Sequence, residues 1–243
     1  MIVFPRWLQN FHEKKRGRDT GVKILQLSYY MQSVLPHANK IFTLTSSIPI
    51  QPIYDDVFIS KDALKIWENF EIFRDEAMTV YKNLKTIKGD QFFEDIVVDP
   101  KDWTKLYLRW YNDIDPIGEK LCPKSAALIK SMPCVRIAMF SVLRPGAKIL
   151  PHAGLYKGCL RLHMGLMTPN HNDCFISING ETYSWRDGQV VLLDDTYTHY
   201  VHNNTDDYRV ILFCDIDRPM NFIGRLTHEM MISIFGKLTT REN

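Results

Sequence analysis

Residues 135–167 read VRIAMFSVLRPGAKILPHAGLYKGCLRLHMGLM, with apolar side chains recurring at a period of two and a turn signal at Arg144-Pro145-Gly146. That period marks a strand with one buried face, because successive side chains point to opposite sides of a sheet. The same pattern predicts strands at 135–143, 148–151, 160–167, 174–178, 181–184, 189–193, 199–202 and 209–215. Asn179-Gly180 is the strongest hairpin signal between them, and Asp187-Gly188 is another turn. Short strands at this spacing predict a mainly β fold: a double-stranded β-helix, or cupin-like jelly roll, whose open end can hold a ligand. The jelly-roll core is expected over 135–218, within a domain spanning 51–243.

Outside the core the period changes. Ser60 suits a helix N-cap, and Ile66, Phe70, Phe73, Ala77, Val80 and Leu84 follow at steps of four and three, predicting one amphipathic helix packed on the core. A shorter helix is expected from Pro123 to Lys130, and a last one over 220–237 through Phe222, Leu226, Met230 and Ile234, read as a cap on the barrel with contact to a membrane as the other reading. Residues 1–50 are a weakly patterned extension, ended by Ile48-Pro49-Ile50-Gln51-Pro52, which cannot continue a helix.

Composition narrows the function. A formal net charge of +2 over 243 residues exerts no strong pull toward nucleic acid. The five cysteines have no CxxC spacing and read as reduced, structural thiols. No apolar run is long enough to span a membrane, and the N-terminus puts its apolar residues before its charges, the reverse of a secretory signal. A cytoplasmic protein is therefore expected. Phe4, Trp7, Leu8 and Phe11 precede Lys14, Lys15, Arg16 and Arg18, an order that fits either a solvated arm or peripheral contact with the cytoplasmic face of an anionic membrane.

Of eight histidines, His12, His37, His171 and His228 lie in polar or amphipathic surroundings and read as surface residues. His152, His163 and His199 lie among the strands, with His202 close behind. His152 and His199 are separated by 47 positions, enough for the chain to run around a small barrel and return beside its starting point. Two imidazoles at a barrel mouth suit a divalent first-row metal; satisfied core histidines are the other reading. Arg209, in the apolar run YRVILF, is costly to bury unless it meets an anion. Either an internal pair with Asp194, Asp195 or Asp215 or a bound dicarboxylate would serve.

The motifs FSVLRPGAKILPHAGLYKGCLRLHMGL, YSWRDGQVVLLDDTYTHYVHN and YRVILFCDIDRP, in this order, resemble the aspartyl/asparaginyl β-hydroxylase family of iron(II)- and 2-oxoglutarate-dependent oxygenases. KLYLRWYND, LCPKSAALIKSMP and ILFCDIDRPM are most similar to the bacterial lipid A fatty-acyl hydroxylases, and the resemblance covers roughly residues 45–220. It implies Fe(II), 2-oxoglutarate as cosubstrate and O2. It also implies His152 and His199 as iron ligands, Arg209 with Ser141 on the distal carboxylate of 2-oxoglutarate, and Arg161 and His163 near cosubstrate and substrate carboxylates. Two positions after His152, where the lipid A hydroxylases carry aspartate, this chain has Gly154, as the animal aspartyl hydroxylases do. The resemblance leaves three outcomes there: hydroxylation with a water ligand, halogenation with a halide ligand, or a site too weak for iron. A non-catalytic jelly-roll binding module is a further alternative. Trp103, Lys105, Tyr107 and Arg109 alternate along one predicted strand. If it lines the mouth, Lys105 with Arg161 would recognise an anionic head group or carboxylate of a lipid or small-molecule substrate; an ordinary half-exposed strand is the other reading.

Overall fold

The alternating segments form two antiparallel sheets in the computed structural model, which describes residues 30–54, 59–83 and 99–238. The larger sheet has seven strands in the order β1 (Ile53–Tyr54), β9 (Val190–Leu193), β6 (Cys159–Met167), β11 (Arg209–Asp217), β4 (Val135–Leu143), β2 (Trp103–Trp110) and β3 (Asp113–Ile114). The smaller has four: β5 (Lys148–His152), β10 (His199–Asn203), β7 (Cys174–Ile178) and β8 (Glu181–Ser184). This is the expected jelly roll. At the β7–β8 hairpin both turn residues take positive φ, Asn179 at 50° and Gly180 at 87°, the conformation that an Asn-Gly pair supplies at little steric cost.

Each face of the larger sheet has its own core. Leu106, Leu108, Phe140, Val142, Leu160, Leu162 and Leu212 point outward and are buried with Ile66, Phe73, Ala77 and Ile129 from the helices. Tyr107, Met139, Ile211, Phe213 and Val191 point inward and meet Ile149, Ile176, Ile178 and Val201 of the smaller sheet, with Trp185. A side chain of this size contributes roughly 1.5–3 kcal/mol when fully buried. The site described below lies on the inward face, between the sheets.

Six helices flank the sheets among the described residues. The first, α1 (Leu35–Thr45), lies within the weakly patterned extension. Ser60 caps α2 (Lys61–Glu68), its Oγ accepting from the Ala63 N–H at 3.1 Å. The helix expected to run on to Leu84 instead breaks at Asn69 and restarts as α3 (Phe70–Val80). The Asn69 side chain donates to the Lys65 carbonyl at 2.8 Å while its backbone leaves the helical region, a competition for main-chain partners that hydropathy does not register. The apolar stripe survives the break, since Ile66, Phe73 and Ala77 all remain buried; Leu84 lies outside the described residues. Next come α4 (Pro116–Leu121) and α5 (Pro123–Lys130), the latter with the expected bounds. The last helix, α6 (Phe222–Leu238), packs on α1 through Leu35, Ala38, Phe42, Met231 and Phe235.

Candidate metal and cosubstrate centre

Antiparallel pairing of β5 with β10 sets His152 directly opposite His199. Their ring centroids are 4.2 Å apart with planes inclined at 54°. His152 Nδ1 lies 2.7 Å from the Leu150 carbonyl and His199 Nδ1 lies 2.9 Å from that of Tyr197. A carbonyl can only accept, so Nδ1 of each ring carries the proton and Nε2 keeps its lone pair for a metal. Burial, then the neighbouring His199, lowers His152 to about 3; burial, then the Arg161 guanidinium, lowers His199 to about 4. Both rings are thus neutral near pH 7, the state that binds metal. Among the described residues no third His, Cys, Asp or Glu joins this pair to make a three-ligand group within 4.8 Å.

Deeper between the sheets is a nest of donors. Arg209 is fully buried, its Nη2 donating to Ser141 Oγ at 3.0 Å and its guanidinium carbon 4.7 Å from the centre of the Trp185 ring. Trp103 Nε1 donates to the same Ser141 oxygen at 2.8 Å. Arg209 makes no ion pair among the described residues, and burial lowers its pKa to about 10, which still leaves it charged. Asp194, Asp195 and Asp215, the internal partners that the sequence offers it, are engaged by other arginines. Arg209 Nε, both His163 ring nitrogens and Trp185 Nε1 are buried without hydrogen-bond partners. Unpartnered buried polar atoms are rare and costly, and here they cluster around a guanidinium. Their chemistry fits a dicarboxylate. His163 stands 5.1 Å from Phe213 and 6.0 Å from Trp185, ring centre to ring centre, and burial with the charges of Arg161 and Arg209 holds it far below its ordinary pKa.

At the histidine side, Arg161 is clamped between two carboxylates. Its Nε and Nη2 reach Asp215 at 2.9 and 3.2 Å, its Nη1 reaches Asp195 at 2.8 Å, and the guanidinium carbon sits 4.3 Å from the Phe213 ring centre. Burial raises the pKa of both aspartates, and Arg161 opposes that rise. Asp195 also answers the question raised by Gly154. A Cβ built on Gly154 would overlap the Asp195 carboxylate, and the Gly154 N–H donates to the Asp195 carbonyl at 2.7 Å. A carboxylate from the β9–β10 turn therefore stands where a side chain from position 154 would begin.

The turn is anchored by a buried pair. Arg218 bonds Asp194, the Tyr54 hydroxyl and the Lys157 carbonyl, and Asp194 accepts from Thr196, so both histidine-bearing loops converge on one guanidinium. Trp103 and Lys105 are buried on the inward face of β2, with Lys105 Nζ 3.9 Å from the Trp103 ring centre and Lys105 paired across to Ser141. Arg109 lies apart, donating to the carbonyls of Tyr111 and Met132. Asp195 and Asp215, read from sequence as candidate partners of Arg209, are instead held by Arg161. His37 and His171 are exposed as expected, and His12 lies outside the described residues. His228 is a correction. It is buried between Tyr156 and Asp217, with Nδ1 2.7 Å from the Tyr156 hydroxyl and Nε2 2.7 Å from Asp217 Oδ1, because α6 turns that face inward. Cys159 Sγ lies within 4.8 Å of the ligand atoms of Asp217 and His228, but Arg136 already grips Asp217 through two bonds, so the cluster is a satisfied structural network.

A jelly roll with two converging histidines at one end and a buried guanidinium within is the architecture that the chain defines. Residues 67–219 match the family model described as aspartyl/asparaginyl beta-hydroxylase, and the chain belongs to that family. It is 27% identical over 215 residues to the ornithine lipid ester-linked acyl 2-hydroxylase of Rhizobium tropici, covering 86% of this chain and 75% of that protein. It is 30% identical over 157 residues to the human aspartyl/asparaginyl beta-hydroxylase, covering 62% of this chain and 20% of the human protein. A Pseudomonas putida prolyl-4-hydroxylase structure aligns with a TM-score of 0.39 at 14% identity, over 74% of this chain and 98% of that one. Among the described residues no helix is long and apolar enough to cross a membrane.

Proposed function

We propose that this chain is an Fe(II)- and 2-oxoglutarate-dependent dioxygenase that hydroxylates an unactivated C–H bond in a lipid acyl chain. One observation carries the reading: two Nε2 lone pairs held ready by Nδ1 bonds, beside a buried Arg209 whose Nε has no partner. His152 and His199 would hold the iron, and Arg209 with Ser141 would hold the distal carboxylate of 2-oxoglutarate. When bound, iron, 2-oxoglutarate and O2 supply the oxidising chemistry, one oxygen atom passing to the substrate and the other to succinate.

The protein's own residues orient and insulate. His163, neutral and unpartnered, offers its one N–H to a bound carboxylate. Arg161 holds Asp195 in place against Gly154, so the space next to Gly154 is taken by a carboxylate. An anion there disfavours a halide and favours a water that can donate to it, which supports hydroxylation over halogenation. Phe213, Ile178 and Trp185 supply apolar walls that exclude bulk water. The lipid substrate rests on the match to the Rhizobium tropici acyl 2-hydroxylase across most of both chains; an aspartyl or asparaginyl substrate is the alternative that the human relative offers.

Succinate release is the test, measured with iron and 2-oxoglutarate against acylated lipids and aspartyl peptides. Lipid-dependent succinate with a product heavier by one oxygen is expected. Stimulation by the peptides alone would move the substrate to the other branch, and a chlorinated product in the presence of chloride would replace the reaction.

A further inference from the structure

The pair α1 and α6 carries a surface that the site does not use. Leu44 is 75% exposed, Phe222 70%, Ile223 61%, Met230 60% and Leu226 54%, whereas every other exposed large apolar side chain among the described residues is at 47% or less. Four of the five fall on one helix at steps of one, three and four, which places them along a single face of α6. Leu44 joins them from α1, since Thr45 packs against Gly224 in the first turn of α6. This face is firmly mounted: the opposite side of α6 is buried on Leu35, Ala38 and Phe42, and His228 ties it to Tyr156 in the loop that follows His152. Asn39 of α1 grips the same loop, donating to the Leu155 carbonyl at 2.7 Å and accepting from the Lys157 N–H at 2.9 Å.

We propose that this face docks onto an anionic lipid bilayer surface. Charge selects that partner. Lys40, Arg225 and Lys237 are exposed on the two helices, Lys237 continuing the row of Phe222, Leu226 and Met230, while the acidic Glu229 is taken by Arg136. Residues 1–29 enter the described structure at Tyr30, directly before α1, and hold six basic against two acidic side chains, where the whole chain has a formal charge of +2. By the same count residues 30–243 are net −2, so the positive charge is concentrated on the segment leading into this helix pair. An apolar helix face flanked by cations, with a basic, aromatic stretch preceding it in sequence, has the composition of an interfacial anchor. The proposal extends the lipid reading above and places the loop after His152 next to the bilayer.

The test uses the full chain without iron or 2-oxoglutarate, so its outcome is separate from that of the metal site. Co-sedimentation is measured with phosphatidylcholine vesicles and with vesicles containing about one third phosphatidylglycerol. The protein should pellet with the anionic vesicles at low salt and be released as salt rises. The double variant Leu226→Glu/Met230→Glu should lower partitioning about tenfold or more with an unchanged circular dichroism spectrum. Leu44→Glu on the other helix should act in the same direction, which keeps the test open if the double variant misfolds. Protein left in the supernatant with both vesicle types overturns the proposal, as do folded variants that partition like the original. A concentration-dependent dimer abolished by these substitutions, without vesicle binding, would assign the face to a second copy instead.

Discussion

Gly154 shows how one missing side chain is balanced by another residue. Because Asp195 fills the adjoining space, Gly154→Asp should not create a third metal ligand; it should collide with Asp195 and weaken Fe(II) binding. Gly154→Asp combined with Asp195→Ala should bind iron more tightly than Gly154→Asp alone, as read by anaerobic calorimetry. Arg209 is the other decisive residue. Arg209→Ala removes the buried guanidinium whose Nε belongs to the unpartnered cluster, and losing one member of a desolvated charge pair costs about 2–5 kcal/mol, so cosubstrate affinity should fall at least about thirtyfold with the fold retained. An unchanged 2-oxoglutarate requirement would contradict its role. His163 allows a test through pH. Its folded pKa lies far below that of the unfolded chain, so the unfolded state takes the proton first and stability drops as pH falls below about 6.5. His163→Leu should remove part of that loss, up to about 1.4 kcal/mol per pH unit, in urea titrations compared at pH 7 and pH 5.

Among the elements, the strands were legible and the polar clamps were not. Alternation located β4, β7 and β8 to the residue, because each has one face on a core and the period of two cannot shift without turning that face to water. The helix break at Asn69 and the helix α1 escaped, the first because it depends on a side chain competing for a carbonyl, the second because its buried residues make sense only once α6 is beside it. Histidine spacing suggested the metal pair, yet the same spacing suited satisfied core histidines, and the family resemblance was needed to choose. Nothing in the linear order tied Arg161 to Asp195 and Asp215 or Arg218 to Asp194, since each pairing is set by register between strands distant in sequence. The Arg218–Asp194 clamp carries a consequence at this scale. Asp194→Ala leaves a fully buried guanidinium without its carboxylate and should destabilise the fold by about 3–5 kcal/mol in denaturant titrations. Iron affinity should drop with it, because the loops leading from His152 and into His199 both converge on Arg218.

For the whole molecule, the two sheets divide the labour. The larger one buries its outer face under α2, α3 and α5 and turns Ser141, Arg161, His163 and Arg209 inward, while the smaller contributes the two histidines from its β5–β10 edge. The helix pair α1 and α6 sits to one side, joined to the loop between the first histidine and Arg161 through Asn39, Tyr156 and His228. The most direct test of the central claim, that His152, His199 and Arg209 form one metal and cosubstrate centre, is anaerobic titration with Fe(II) followed by 2-oxoglutarate under an absorption spectrometer. A metal-to-ligand charge-transfer band should grow to one equivalent of each, should be absent in His152→Ala, and should require far more 2-oxoglutarate in Arg209→Ala. No band in the unaltered protein, or an undiminished band in His152→Ala, would contradict it.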